Sequence, residues 1–187
     1  MASERTTTPI EEYRSLRSRI DKQVKRLEGL HGPDIVCRPG CAACCVNLTV
    51  FPVEFFAILK DVRKTPVSQD KFIFDESAPC GFLNEKKLCR IYRFRPIICR
   101  THGLPILFLN DSRENPAWEV SFCELNFRNK TGIEFTDEAL LDIETINADL
   151  NRINDQYISS LPGNKCSARE RIPLGNLIEA IQGIKSG

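Results

Sequence analysis

The sequence predicts a single α+β domain, mainly helical, and three observations point there. Two long stretches, one near the N-terminus and one after residue 136, carry apolar residues at steps of three and four. Two shorter stretches between them have apolar runs set about polar turns, the pattern of small hairpins. The length of 187 residues suits one domain with its own core and leaves little room for a second. On this reading residues 37–123 are a cysteine-rich middle, framed by helical segments over 1–30 and 131–187.

Taken in order, Thr8, Pro9 and Glu11 read as an N-cap, a first helical residue and a capping-box partner. Ile10, Tyr13, Leu16, Ile20, Val24 and Leu27 then form one apolar stripe that ends near Gly29. Residues 31–45 hold Gly32, Pro33, Pro39 and Gly40 and are irregular at first, with 41–45 turning towards a helix. Residues 52–63 form a short helix with Phe55, Phe56, Ile58, Leu59 and Val62 as apolar positions. Residues 64–79 connect, with one short strand at 71–74. Residues 80–92 fold into a first hairpin about the polar turn 84–87, and Arg95-Pro96 opens a short helix carrying Cys99. Proline suits that place because it has no N–H to lose there.

A second hairpin pairs 104–110 with 118–127. It sets Glu119, Ser121 and Cys123 on one face and Trp118, Val120 and Phe122 on the other. Thr136 starts a long helix whose stripe is Leu140, Ile143, Ile146, Leu150, Ile153, Tyr157 and Leu161, stopped by Pro162-Gly163. A last helix over 173–184 carries Leu177, Ile178, Ile181 and Ile184.

Composition narrows the function classes. Twenty-six Lys and Arg stand against 25 Asp and Glu, a net charge of +1, which argues against broad attraction to nucleic acid or to a membrane. No apolar core interrupts the opening residues 1–15, and no window nears the ~20 apolar residues of a spanning helix. The expectation is a cytoplasmic protein with reduced thiols and no membrane partner. Charge is uneven within that balance. Residues 131–160 hold seven acids and one base, whereas 9–28 hold six bases and four acids. These are either two solvated faces or an antiparallel pair of helices.

Nine cysteines are the unusual feature, and eight of them lie between Cys37 and Cys123. The odd count, the adjacent Cys44 and Cys45 and the missing export signal favour metal ligation over a disulfide framework. Cys37, Cys41, Cys44 and Cys45 have the short spacings that let one loop aim sulfurs at one ion. Adjacent side chains diverge by about 100° on a helix and 180° on a strand. Either Cys44 or Cys45 is a supporting thiol, then, or the two feed different centres. Cys80, Cys89, Cys99 and Cys123 make a second group of four. Eight thiols satisfy two tetrahedral metals or one or two iron–sulfur clusters. Cys166, beyond the Pro-Gly stop, reads as a free thiol.

Residues 80–103 carry six Lys and Arg against Glu85, positive charge that suits thiolates and lowers thiol pKa values. The same patch could bind phosphate or be a solvated hairpin. The N-terminal dipole of the helix after Pro96 would also favour a Cys99 thiolate. Tyr92 and Phe94 either cover a metal site or belong to the core. His102 follows Cys99 at a spacing that could add a nitrogen ligand, and is otherwise a surface residue; His31 is a weaker candidate. Cys41-Ala-Ala-Cys44 lacks the βα setting of a redox C-x-x-C. Glu54, Asp75 and Glu85 lie near the cysteines as possible bases, without diagnostic spacing.

The strings Cys-x3-Cys-x2-Cys-Cys, Cys-Gly-Phe-Leu and Cys-Arg-Ile-Tyr-x2-Arg-Pro-x2-Cys-Arg together resemble the YkgJ-type cysteine-cluster family. Its members are described as zinc- or iron-chelating domains or as iron–sulfur-cluster proteins. The resemblance runs from Cys37 to about Gly103. It implies that Cys37, Cys41, Cys44, Cys45, Cys80, Cys89 and Cys99 are metal-site residues; Cys123 is added by counting, as the eighth thiol. A larger relative, a flagellin lysine methylase, makes methyl transfer a remote implication.

Three functions follow as expectations. One is an iron–sulfur protein, with a [4Fe–4S] cluster foremost, serving a redox or accessory role with a protein or redox partner. Another is a zinc-stabilised binding or adaptor module. The third is a metal-dependent enzyme.

Overall fold

The computed structural model describes residues 7–65, 79–112, 114–163 and 167–183. Among these, five α-helices and two small sheets make an α+β fold. The strand expected at 71–74, together with Asp75, Cys166 and Ile184, lies outside the described residues.

α1 runs Pro9–His31 and begins as its sequence asks. Thr8 Oγ1 accepts the Glu11 N–H at 3.3 Å, and the Glu11 carboxylate takes the Thr8 N–H at 2.8 Å. The helix continues two residues beyond Gly29, and its last ring, His31, has Nε2 2.9 Å from the Ala139 carbonyl. Ile10, Tyr13, Leu16, Ile20 and Leu27 are all buried. Each such side chain contributes about 1.5–3 kcal/mol on leaving water.

α2, Pro52–Arg63, has the bounds its sequence predicts but is buried on two sides. Val53 and Ala57 pack with the α1 stripe, Ile97, Leu104, Leu150 and Ile153. Phe55, Ile58, Leu59 and Val62 pack with Phe82, Ile91, Leu174, Leu177 and Ile178. α2 therefore parts two cores.

α3 is the short helix Ile97–Thr101, with Pro96 at its cap as expected. β2, Ile106–Asn110, pairs antiparallel with β3, Ala117–Ser121, in the second hairpin. Its strand stops at Ser121, so Phe122 and Cys123 leave the sheet. The Trp118 face points outward, with Trp118 56% exposed. The first hairpin is smaller than expected: one bridge, Leu83 to Cys89, closes a turn in which Asn84 Oδ1 accepts the N–H groups of Lys86 and Leu88. Residues 41–45 turn but do not become helical.

The long helix starts later than Thr136. A short 3-10 turn, Asp137–Ala139, is followed by an extended Leu140 and by strand β4, Leu141–Asp142, parallel to β2. The Leu141 N–H donates to the Pro105 carbonyl at 2.9 Å, and Asp142 then caps α4, Ile143–Ser159, by accepting the Thr145 N–H at 3.1 Å. Asp142 is the better cap, and Leu140 fits the helical spacing without being in the helix. The last helix is also shorter: α5 is Asn176–Gln182. Ile172–Pro173 instead forms β5, antiparallel to β1, Thr49–Val50.

α1 and α4 lie against each other. Glu12 meets Arg152 and Arg19 meets Asp149, in reversed order along the two helices, and Arg26 donates to the Glu138 carbonyl in the 3-10 turn before α4. The uneven charge thus belongs to an antiparallel pair. Exposed ion pairs add only ~0–1 kcal/mol each, so the apolar stripes hold it. Among the described residues no helix is long and apolar enough to cross a membrane.

Candidate metal centre

Eight cysteines are described, and all are free thiols. They fall into two neighbourhoods. In the first, Cys37 has Cys123, Cys41 and Cys44 as its thiol neighbours. Two successive tight turns shape its loop, with Cys41 N–H donating to Arg38 and Cys45 N–H to Ala42, both at 3.0 Å. Asn126, which is buried, fixes the start of the loop. Its Oδ1 accepts the Val36 N–H at 2.9 Å, its Nδ2 donates to the Gly103 carbonyl at 2.6 Å, and both atoms lie within 3.9 Å of the Cys37 sulfur. Gly103 has φ +92°, and a Cβ there would stand 3.1 Å from the Cys37 sulfur and 3.7 Å from the Cys123 Cβ. Only glycine adopts that conformation at no steric cost and leaves the sulfur its room.

In the second neighbourhood Cys45 faces Cys80 and Cys89, and Cys99 faces Cys80, Cys89 and Cys45. The two sets meet at the adjacent Cys44 and Cys45, because Cys44 is also a neighbour of Cys45. α3, which carries Cys99, is held by Glu54 on α2. Glu54 Oε1 accepts the Ile97 N–H at 3.0 Å and the Tyr13 hydroxyl at 3.2 Å, joining α1, α2 and α3. Among the described residues no three Cys, His, Asp or Glu side chains stand close enough to hold an ion as they lie. The thiols are neighbours rather than a formed coordination shell.

Electrostatics corrects two expectations. Burial and the neighbouring thiols push Cys99 up to about 12 and Cys45 up to about 11. Burial also raises Cys37 and Cys89. A helix as short as α3 and one nearby guanidinium do not offset the loss of water, so without a bound cation these groups stay protonated. The basic patch is also not one body. Arg100 is buried, its Nη1 2.5 Å from Asp21 and its other nitrogens on the carbonyls of Arg95 and Arg93. Arg95 is the cation that acts on both Cys89 and Cys99.

Other candidates separate cleanly. Tyr92 is 59% exposed and stacks with Arg95, whereas Phe94 packs on the second core. His31 sits edge-on among Phe127 and Phe135 as a packing residue. His102 is exposed at the end of α3 and lines a cavity of about 740 Å³. Apolar Phe51, Ile97, Leu104, Phe122 and Leu150 share its walls with Cys44, Cys123 and Glu54, so the first set is open to small molecules. Nothing in the sequence marks Asn126 or Gly103 as site residues, and Glu54 holds α3 in place where the sequence suggested only a possible base. A Cys-x2-Asn spacing after Cys123 is the one trace of Asn126, and it is not diagnostic.

Residues 36–124 match the model of the CxxCxxCC family, described as a "putative zinc- or iron-chelating domain". The match begins one residue before Cys37, ends one after Cys123, and covers a little under half of the chain. It agrees with the cysteine-cluster resemblance read from the sequence. No match to a curated protein or to a solved structure accompanies it.

Proposed function

We propose, for a chain whose residues 36–124 match a zinc- or iron-chelating domain, that the eight thiols hold two iron–sulfur centres in a redox or accessory role. Cys37, Cys41, Cys44 and Cys123 would hold one, and Cys45, Cys80, Cys89 and Cys99 the other. The observation that carries this is that Cys37 has Cys123, Cys41 and Cys44 as neighbours whereas Cys45 and Cys99 share Cys80 and Cys89, the two groups adjoining at Cys44 and Cys45. Four thiolates suit a [4Fe–4S] cluster, and they suit tetrahedral zinc as well. A cluster so held supplies one-electron transfer.

The chain's own residues supply position and shielding. Asn126 and Gly103 set Cys37 against Cys123, and Glu54 fixes the helix that carries Cys99. Half-burial of seven of the eight thiols keeps bulk water back, while the cavity beside Cys44 and Cys123 leaves one centre within reach of a small molecule. Anaerobic purification, a visible spectrum and metal and sulfide analysis test the reading. A brown protein with iron and labile sulfide is the expected result. A colourless protein with zinc alone would overturn the cluster assignment.

A further inference from the structure

We propose that Arg95 is the counter-charge and hydrogen-bond donor of the centre formed by Cys45, Cys80, Cys89 and Cys99, with Tyr92 as its clamp. The inference rests on reading that set as a metal site.

Arg95 Nε is buried and has no hydrogen-bond partner; the other such buried side-chain atom among the described residues is on Arg17. Arg17 is paired through Nη2 with Asp61 at 2.8 Å, but no described carboxylate pairs with Arg95. A buried donor left without an acceptor costs about 1–3 kcal/mol. Such an atom in a native structure asks for an explanation, and an anionic group between the thiols is one that fits.

The segment around it is built to hold that position. The Arg95 carbonyl accepts from Arg100 Nε at 2.7 Å, and the Arg93 carbonyl accepts from Arg100 Nη2 at 2.6 Å. Arg100 is in turn tied to Asp21 on α1. The Arg95 guanidinium carbon lies 3.7 Å over the Tyr92 ring, so one of its faces is covered by an aromatic that is itself exposed. Among the thiols, Cys89 and Cys99 both feel the Arg95 charge.

The chemistry matches. A centre with four thiolates keeps about two negative charges. A guanidinium stays protonated at any working pH and offers a planar set of N–H donors. A guanidinium held against this centre makes it easier to reduce than it would be without one. The Tyr-x2-Arg-Pro block is also explained: tyrosine clamps, arginine donates, and proline caps the helix that carries Cys99.

The test uses the full chain loaded anaerobically, with Arg95→Gln, Arg95→Lys and, as a surface control, Lys87→Gln. Metal release to a chelator and the reduction potentials are read, with helical content checked by circular dichroism. Arg95→Gln should release metal roughly 10–100-fold faster from one centre and make one potential more negative. Arg95→Lys, which keeps the charge, should recover part of both, and Lys87→Gln should change neither. Wild-type release and potentials in a folded Arg95→Gln chain would overturn the role of Arg95. A wild-type chain that takes up no metal at Cys45, Cys80, Cys89 and Cys99 would instead overturn the metal site beneath it. Zinc in that site leaves the release measurement decisive.

Discussion

Cys44 and Cys45 are consecutive residues that neighbour each other but differ in their further thiol neighbours. Cys44 stands by Cys37, and Cys45 stands by Cys80 and Cys89. The turn closed by Cys45 N–H on Ala42 makes this possible, because a non-helical dipeptide can aim its side chains apart. The proposed pair of centres would thus be joined through one peptide bond.

A first prediction follows from that dipeptide. Cys44→Ser and Cys45→Ser should each lose about half of the bound metal, and from different centres, if each centre is held by four thiols. Paired with Cys99→Ser, Cys45→Ser should cause little further loss, whereas Cys44→Ser should remove the remainder. Metal content per chain after gel filtration reads both results. Equal, complete loss in either single variant would speak for one shared centre.

Gly103→Ala is the second. A side chain at φ +92° costs about 1–2 kcal/mol, and the added methyl would press on the Cys37 sulfur at 3.1 Å. Chemical denaturation should show that loss, with faster alkylation of Cys37. Asn126→Ala should speed alkylation as well, since it strands the Val36 N–H and leaves the Gly103 carbonyl only the longer bond from the Cys123 N–H.

These particulars mark how far the sequence could be read. Capping at Thr8, the bounds of α2, the proline start of α3 and the second hairpin are local chemistry, and local chemistry is written in order along the chain. The break before α4 was hidden because Leu140 keeps helical spacing while Leu141 is drawn into a sheet by Pro105, 36 residues earlier in the chain. The pairing of β1 with β5 joins Thr49 to Pro173, a long-range contact in two-residue strands that no alternation can signal. In the site, the cysteines announce themselves by type and spacing. Asn126, Gly103 and Glu54 act through position alone, and ordinary residue types give no sign of that.

A third prediction concerns Asp61. Burial works to raise its carboxyl, but hydrogen bonds from Arg14 at 2.5 Å and Arg17 at 2.8 Å outweigh it and hold the group below the usual aspartate value. A lowered folded pKa means stability that is full above the ordinary pKa near 3.8 and lost as pH falls through the folded value. Asp61→Asn should cost about 1–3 kcal/mol at neutral pH and flatten the acid limb of a stability–pH curve. Urea midpoints between pH 3 and pH 7 would show it; an unchanged acid limb would remove Asp61 from that role.

Glu54 gives the opposite sign. It is fully buried, and desolvation raises its pKa above the usual 4.5, although the Ile97 N–H and Tyr13 hydroxyl pull it back. The folded state then holds a proton that the unfolded state has already released. Its contribution is greatest at or below the unfolded pKa and declines as pH rises through the raised value. Glu54→Gln keeps an oxygen for Tyr13 and Ile97 and removes the titration, so it should be neutral or mildly stabilising at high pH. Glu54→Ala leaves a buried hydroxyl and a buried N–H without an acceptor, and should cost about 2–4 kcal/mol. Because Ile97 begins the helix that carries Cys99, the alanine variant should also expose the Cys99 thiol to alkylating reagent while the glutamine variant does not. Equal Cys99 protection in both variants would mean that α3 is held by its apolar contacts and not by Glu54.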